Sequence, residues 1–298
     1  MIPGDGAGSA PPAPPRFDQG DEMDKLIITV AGVGAETTRE AQPNLPVSAR
    51  EIGEDAARCR EAGAGLYHLH VRRPDGSPTQ DKDVFAAAVE EIRARTDIII
   101  QTSTGGAMGM TADERLQPLE LGPEMASLTT GTLNFGDEVF FNDTALLKEF
   151  YTRMQAKGVR PEFEIFEAGQ IVNALRIVKQ FGPAGPLMHW DFVLGVPGTM
   201  NGEPRTLSFL VDSIPAEGST WTATGIGRWH MPVTMAALAM GGNVRLGFED
   251  NIFFHKGVLA ESNAQLTARV ARLAAEWGRE CATPDEARQI LRLAPYDT

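Results

Sequence analysis

Two histidines spaced two residues apart, His68 and His70, are the clearest indication of a metal-binding site in this sequence. They lie in the apolar run 65–71, Gly-Leu-Tyr-His-Leu-His-Val. Side chains two apart on a β-strand point to the same face, so both imidazoles can bind one divalent metal such as zinc. The alternative is a polar pair on an exposed strand face. The small and apolar flanking residues favour burial, and therefore a metal site inside a barrel or cleft.

A carboxylate beyond the last predicted strand can complete such a site. Glu249 is the best third ligand by position, and Asp250 is its neighbour. Two histidines and one carboxylate leave an open coordination position on zinc, as catalytic sites require. Either acid can instead lie at a helix N-terminus, where the helix dipole favours negative charge. Spacing alone leaves this choice open.

Arg245 lies in the last predicted strand, four residues before Glu249, so the two side chains share a face if the extended backbone continues to Glu249. An inward arginine is costly to bury unless it is paired. It suits fork-to-fork binding of a substrate carboxylate. A structural ion pair with Glu164 or Asp250 is the alternative, and both can hold together.

The loop 103–106, Ser-Thr-Gly-Gly, offers hydroxyls and unhindered backbone N–H groups. Such a loop can hold a carboxylate or a phosphate. Taken alone, it also fits an ordinary strand-to-helix turn.

The elements that must position these residues alternate between short apolar runs and helical patterns. Strands are predicted at 25–31, 65–71, 97–102, 125–129, 162–166, 187–194, 220–224 and 243–248. Helices are predicted at 48–62, 81–95, near Thr111, and at 143–157, 168–181, 206–212, 231–240, 263–280 and 284–293. Eight strand–helix units predict an α/β fold, a closed (β/α)8 TIM barrel of parallel strands with an extra C-terminal helix. A doubly wound open sheet is the alternative, although no Gly-x-Gly-x-x-Gly follows the first strand.

Composition bounds the partners and the domain organisation. The 298 residues are 42% hydrophobic, which is enough for a full core. A net charge of -13 repels phosphate backbones and argues against a nucleic-acid partner. Residues 1–24 are rich in proline and glycine, which predicts a flexible tail ahead of one catalytic barrel domain at 25–298.

The compartment is predicted from what the sequence lacks. Cys59 and Cys281 are far apart and form no Cys-x-x-Cys motif, as in proteins of a reducing compartment. No apolar run is long enough for a membrane helix, and no signal-peptide pattern is present. We therefore expect a cytoplasmic protein with no membrane partner.

Six stretches, taken in order, resemble the β-keto acid cleavage enzymes, a family known also for 3-keto-5-aminohexanoate cleavage. The resemblance runs from about Lys25 to Leu293. The stretches are 34–39, 67–72, 101–106, 123–128, 225–228 and 244–251. Ser127 stands where a threonine is familiar in that family, so the identity of the keto acid is left open.

The resemblance implies a zinc-containing barrel that is usually a homotetramer. It implies a β-keto acid and acetyl-CoA as substrates, with acetoacetate and a new CoA thioester as products. By the family pattern, zinc is bound by His68, His70 and Glu249. The keto acid is contacted by Glu36, Ser103, Gly106 and Ser127, and the catalytic polar residues are Glu164, Arg245, Asp250 and Ser103.

On this interpretation Arg245 and Ser103 hold the substrate carboxylate. Asp250, poised by Arg245 and Glu164, assists proton transfer. Two alternatives stay open: a CoA-independent metal-dependent aldolase or lyase, and a zinc-binding barrel without catalysis. The loop 196–205 is a candidate lid because of its glycine and proline content.

Overall fold

The computed structural model describes residues 24–107 and 109–294, and at its centre eight parallel strands form a closed barrel. Neighbours in the barrel follow chain order, and the last strand pairs with the first. This closure confirms the predicted TIM barrel and rules out the open sheet. The predicted tail lies outside the described residues, apart from Asp24. The strands are β1 (Ile28–Ala31), β2 (Leu66–Leu69), β3 (Ile99–Thr102), β4 (Met125–Thr129), β5 (Arg160–Ile165), β6 (Met188–Leu194), β7 (Ser219–Gly225) and β8 (Asn243–Leu246).

Helices surround the barrel, and several of them begin at a residue whose side chain caps the first turn. The Ser48 hydroxyl accepts the N–H of Glu51, and the Glu51 carboxylate accepts the N–H of Ser48, which completes the predicted capping box. No helix in the described ranges combines the length and apolarity needed to cross a membrane. The helices are α1 (Ala49–Glu61), α2 (Lys82–Arg93), α3 (Ala112–Arg115), α4 (Thr144–Lys157), α5 (Ala168–Phe181), α6 (Pro204–Ser213), α7 (His230–Ala239), α8 (Asn263–Glu276) and α9 (Pro284–Ile290), with 3-10 turns at Gln117–Leu121 and Gly227–Trp229.

The two ends of the barrel interior differ in polarity. At the amino ends of the strands, an apolar cluster packs against the extra C-terminal helix α9 and closes the barrel. Its members are Ile27, Leu66, Ile99, Met125, Ala282, Ala287 and Leu291. Further up, the buried interior is polar rather than filled with the branched aliphatic side chains that are common in this fold. These polar residues include Gln101, Glu162, His189, Asp191 and Thr222.

Three short antiparallel hairpins, which the sequence did not predict, follow the carboxyl ends of β2, β4 and β8. Their strands have two or three residues, too few to show the alternation that identifies a strand. Each turn contains a glycine at positive φ, namely Gly76, Gly136 and Gly257. The hairpins pair Val71–Arg72 with Pro78–Thr79, Leu133–Phe135 with Glu138–Phe140 (the β4 hairpin) and Phe253–His255 with Val258–Leu259.

Candidate active site

A cavity of about 260 Å³ opens at the carboxyl ends of the strands, the face that carries active sites in TIM barrels. Every site residue predicted from the sequence lines it, with the exception of Ser127. One wall is polar and contains the two histidines and the charged groups, whereas the opposite wall is apolar. The predicted residues that line the cavity are Glu36, His68, His70, Ser103, Gly106, Glu164, Arg245, Glu249 and Asp250.

His68, His70 and Glu249 converge in the polar wall. The Nε2 atoms of His68 and His70 lie 3.9 and 3.7 Å from Oε1 of Glu249. Candidate ligand atoms of all three residues lie within 4.8 Å of one another, and no other such group of three occurs in the described ranges. Glu249, rather than Asp250, is therefore the acid that faces the histidines. No helix begins at this point, so neither acid has the helix-capping role left open above.

A sharp bend after β8 places Glu249 and Asp250. Gly247 has φ 139°, and a Cβ at this position would lie 2.2 Å from the carbonyl oxygen of Ala31 on β1. Only glycine fits this close approach. The bend is fixed by the Glu249 N–H, which donates to the same Ala31 oxygen at 3.1 Å, and by the Asp250 N–H, which donates to the Gly247 oxygen at 3.0 Å.

The three residues have the protonation states that a divalent cation needs. Burial lowers the pKa of His68 to about 4, helped by the nearby Arg245, and burial also lowers the pKa of His70. Burial raises the pKa of Glu249, but Arg245 and the two histidines outweigh it and bring the value to about 2. The second oxygen of Glu249, Oε2, is buried and has no hydrogen-bond partner among the described residues. Neutral imidazoles, an ionised carboxylate and an unpartnered oxygen together fit a metal site.

Gln101 is a functional residue that the sequence reasoning missed. Its Oε1 lies 2.6 Å from Nδ1 of His68 on the neighbouring strand. If Nδ1 carries the proton and donates to this oxygen, Nε2 of His68 faces Glu249 as a free ligand. The sequence did contain a signal for this contact: Gln101 is a polar residue in the predicted strand that follows the strand of His68, so the two side chains could be neighbours in a parallel sheet.

Arg245 is bound by four protein carboxylates. Its Nε and Nη2 donate to the two oxygens of Asp250 at 3.1 and 3.0 Å, in a bidentate pair. Nη2 also donates to Glu249 at 2.6 Å. Nη1 lies 3.3 Å from Glu164 and 3.5 Å from Asp191. The structure thus favours the ion-pair interpretation of Arg245, since hydrogen bonds to protein carboxylates occupy four of its five N–H donors and leave little capacity for the substrate carboxylate that this residue was expected to hold.

The carboxylates around Arg245 are not equivalent. Burial raises the pKa of Asp250 to about 7, although Arg245 acts in the opposite direction. Burial also raises the pKa of Glu164, which accepts a hydrogen bond from the Thr129 hydroxyl at 2.8 Å. Asp250 lines the cavity, and its raised pKa suits the transfer of a proton near neutral pH.

The loop 103–106 presents an anion-binding face to the cavity. The Ser103 hydroxyl accepts the N–H of Gly105 at 3.1 Å and keeps its own proton for a ligand. Gly106 adopts φ 67°, and its N–H has no hydrogen-bond acceptor within the described ranges. Gln80 braces the loop from behind by donating to the Ser103 carbonyl at 2.8 Å.

The remaining predicted contacts lie at different depths. Glu36 is exposed at the rim of the cavity. Ser127 lies below the cavity, two residues before Thr129 on the same face of β4. Its hydroxyl accepts the N–H of Thr104, so the structure does not bring it to the cavity wall. His189, which was considered for the pocket, is buried deeper and pairs with Glu162 at 3.0 Å.

The apolar wall was not predicted from the sequence. The β4 hairpin contributes Phe135 and Phe140, and the candidate lid contributes Val196 and Pro197. The two segments are joined, because the Gly136 N–H donates to the Pro197 carbonyl at 2.8 Å. These contacts join segments that are far apart in sequence, and no local pattern reveals them.

Comparison with known proteins is consistent with this geometry. The family model described as beta-keto acid cleavage enzyme matches residues 25–293. A Fusobacterium nucleatum protein named 3-keto-5-aminohexanoate cleavage enzyme is 54% identical over 91% of this chain and 99% of its own length. A Cupriavidus necator protein named 3-oxoadipate:acetyl-CoA acetyltransferase is 38% identical over 90% of this chain and 94% of its own. The solved ternary complex of ObcA with a C4-CoA adduct and oxalate has a similar fold, with a TM-score of 0.76 at 19% identity over 84% of this chain and 68% of that one.

Proposed function

The chain belongs to the β-keto acid cleavage enzyme family, which confirms the resemblance, and we propose that it cleaves a β-keto acid with acetyl-CoA as co-substrate. The products are acetoacetate and a new acyl-CoA. Acetyl-CoA is named for the Cupriavidus relative, and relatives differ in the keto acid that their names specify. The proposal therefore fixes the reaction and leaves the side chain of the keto acid to experiment.

One observation carries this proposal: a single cavity combines three kinds of group that the reaction needs. It contains a metal-binding triad, His68, His70 and Glu249. It contains an anion-binding loop at Ser103 and Gly106, and an acid–base candidate, Asp250, held in place by Arg245. A binding protein without catalysis has no need for the last group.

We propose that zinc is the metal, because two imidazoles and one carboxylate suit it and leave a position open. When bound, such an ion supplies Lewis-acid polarisation of the substrate keto group. Gln101 orients His68 toward the site, and Arg245 orients Glu249.

The protein groups have separable roles in this proposal. The Ser103 hydroxyl and the Gly106 N–H hold the substrate carboxylate, in place of Arg245. Asp250 removes a proton from the carbon between the keto and carboxylate groups and returns it at the end. Arg245 fixes the orientation of Asp250 by its bidentate contact.

The proposed group transfer balances without a further reactant. The deprotonated α-carbon of the keto acid attacks the acetyl carbonyl, and the acetyl C–S bond breaks to release the CoA thiolate. The thiolate then attacks the original keto carbon, and the bond between that carbon and the α-carbon breaks. The α-carbon leaves as part of acetoacetate and regains its proton from Asp250.

The test is to incubate the zinc-loaded protein with acetyl-CoA and a panel of β-keto acids, and to measure acetoacetate and the new CoA ester together. The panel contains keto acids with amino, carboxylate and alkyl side chains. Both products are expected, in equal amounts, for one class of side chain. Protein in which Asp250 is replaced by Asn is the matched control.

Two outcomes would contradict the proposal. Cleavage of a keto acid in the absence of acetyl-CoA would identify a CoA-independent aldolase or lyase. Absence of both products across the panel, with zinc bound, would remove the proposed reaction.

The finer expectations on assembly and location stay predictions. We propose a homotetramer, to be checked by light scattering coupled to gel filtration. We also propose a cytoplasmic location, with both cysteines reduced.

A further inference from the structure

Arg115 is a buried cation directly behind the anion-binding loop. It ends the short helix α3, and only 3% of its surface is exposed. Its Nε donates to the Thr104 carbonyl at 2.7 Å, within the loop 103–106. Nη1 and Nη2 donate to the Phe141 carbonyl at 3.1 Å and to the Asn142 Oδ1 at 2.6 Å. The guanidinium therefore joins the loop after β3 to the segment that follows the β4 hairpin.

Aromatic rings cover the same guanidinium. Its central carbon lies 4.8 Å from the ring centroid of Phe140 and 4.7 Å from that of Phe150. These rings and the three oxygen acceptors exclude water, so the charge is weakly screened. Burial lowers the pKa of Arg115 to about 10, which leaves it protonated at neutral pH.

The charge of Arg115 is not cancelled by an ion pair, although Glu164 is close enough to act against burial and raise its pKa. No carboxylate of the described residues forms an ion pair with it, in contrast to Arg245 with its four carboxylates. Carbonyl and amide oxygens satisfy its hydrogen bonds without cancelling its charge. The polar wall of the cavity thus contains Arg245, which is paired with carboxylates, whereas Arg115 behind the loop has no such ion pair among the described residues.

The spacing from Arg115 to the loop is short. A Cβ built at Gly106 would lie 3.4 Å from Cγ of Arg115, so the stem of the arginine packs beneath this glycine. A substrate carboxylate at the Ser103 hydroxyl and the Gly106 N–H would be separated from the guanidinium by one layer of backbone.

We propose that Arg115 is a positioning residue that supplies the positive charge by which the loop 103–106 selects an anionic substrate. This inference rests on the proposed function and names the group that replaces Arg245 as the electrostatic partner of the substrate carboxylate. It predicts a preference for a carboxylate over a neutral group of the same shape. A purely structural arginine would change the affinity for both ligands equally.

Asn142 allows the charge to be cancelled without removing the arginine. In Asn142→Asp a carboxylate replaces the amide that accepts from Nη2, which keeps the shape and adds an ion pair. The probes are acetoacetate and its neutral analogue acetoacetamide, and their dissociation constants are measured by calorimetry on the zinc-loaded protein. We expect wild type to prefer acetoacetate by about tenfold or more, and Asn142→Asp to lose most of this preference.

Further variants make the result decisive. Asn134→Asp adds the same charge at an exposed position of the β4 hairpin and should keep the wild-type preference. Arg115→Lys keeps the charge and loses the fork, so it should bind both probes more weakly and retain the preference. If Asn142→Asp does not fold, Arg115→Gln decides, because it removes the charge: a preference lost in Arg115→Gln and kept in Arg115→Lys supports the proposal, and a preference kept in both variants overturns it.

The failure of this inference can be told apart from that of the proposed function. Wild-type preference in folded Asn142→Asp would overturn the role of Arg115 and leave the reaction untouched. If wild type binds neither probe and forms no product in the assay above, the proposed function fails, and this inference fails with it.

Discussion

At the scale of single residues, the chemistry of this site depends on which charges are already paired. Arg245 pairs with protein carboxylates through four of its five N–H donors, and in the proposed function it orients Asp250 and Glu249 rather than binding substrate. Glu249 is ionised, and one of its oxygens has no hydrogen-bond partner in the part of the chain that the structure describes. The two histidines are neutral and meet it from one strand. The pairing of each group supports the proposal that one acid binds the metal and its neighbour transfers the proton.

The triad predicts that one histidine is sufficient to control metal retention. In His70→Ala, we expect zinc to be lost on dialysis and turnover to fall by at least about 100-fold, because removing a ligand costs at least as much as removing an outer-shell partner. Metal content by mass spectrometry and product formation are measured on the same samples. His255→Ala removes an exposed histidine from the hairpin that follows β8, Phe253–His255 with Val258–Leu259, and should change neither. A metal-free variant that is active would contradict the assignment.

Replacing Asp250, the acid next to Glu249, should lower the rate of the reaction without releasing the metal. Asp250→Asn removes the proton acceptor but keeps its size, so kcat should fall by about 10² to 10⁴ while zinc content holds. Asp191→Asn is the matched control, since Asp191 contacts the same guanidinium at 3.5 Å but does not line the cavity. Its kcat should change much less. Equal losses in the two variants would show that only the charge balance around Arg245 matters.

At the scale of elements, buried polar contacts between helices and strands hold the frame of the site. Asp55 on α1 is 2% exposed and accepts from Tyr67 on β2 at 3.0 Å and from Asn263 on α8 at 2.8 Å. Asn263 also donates to the carbonyl of Gly32, and its own Oδ1 accepts the N–H of Phe248. This network ties the ends of β1 and β8 together just outside the metal-binding triad.

The same network predicts a pH dependence of stability. Burial raises the pKa of Asp55 from 3.8 to about 6, despite hydrogen bonds from Asn263 and Tyr67. The folded protein therefore holds this proton more tightly than the unfolded chain, and the resulting stabilisation, full below the unfolded value, is lost as the pH rises through the folded value. Asn in place of Asp removes the titration and keeps the acceptor oxygen.

Urea unfolding at pH 5 and pH 8 measures this effect. Between these values the free energy of unfolding should fall by about 1 kcal/mol more in wild type than in Asp55→Asn. Asp212→Asn, at an exposed position of α6, should match wild type. If the free energy of unfolding depends on pH in the same way in wild type and Asp55→Asn, the pKa of Asp55 is not raised by folding and the prediction is wrong.

At the scale of the whole molecule, the sequence predicts what is local and leaves open what depends on contacts through space. The spacing of His68 and His70 encodes a shared face, and the alternation of strands and helices encodes the barrel. The four partners of Arg245 come from β5, β6 and the bend after β8, so strand register had to be known to find them. Arg115 and Phe140 stand in segments without strong periodicity, and only the folded chain brings them into contact.

The first described residues make contacts that allow the predicted domain boundary near residue 24 to be tested. Lys25 pairs with Glu286 at 2.8 Å and Glu280 at 3.1 Å, and Arg279 donates to the Asp24 carbonyl at 2.7 Å. We propose that the folded unit begins here. A chain that starts at Met23 keeps all these contacts, and its melting temperature and turnover should equal those of the full chain.

A second truncation provides the contrast. A chain that starts at Ile27 loses the Lys25 ion pairs and the Leu26 backbone bonds to Glu280 and Ala282, at 2.7 and 2.8 Å. Its melting temperature should fall by several degrees, since each kcal/mol lost is worth about 2 to 4 °C in a domain of this size. Scanning calorimetry of the three chains compares them directly. If the chain that starts at Met23 melts as low as the shorter one, residues 1–22 stabilise the barrel, and the boundary must be moved toward the N-terminus.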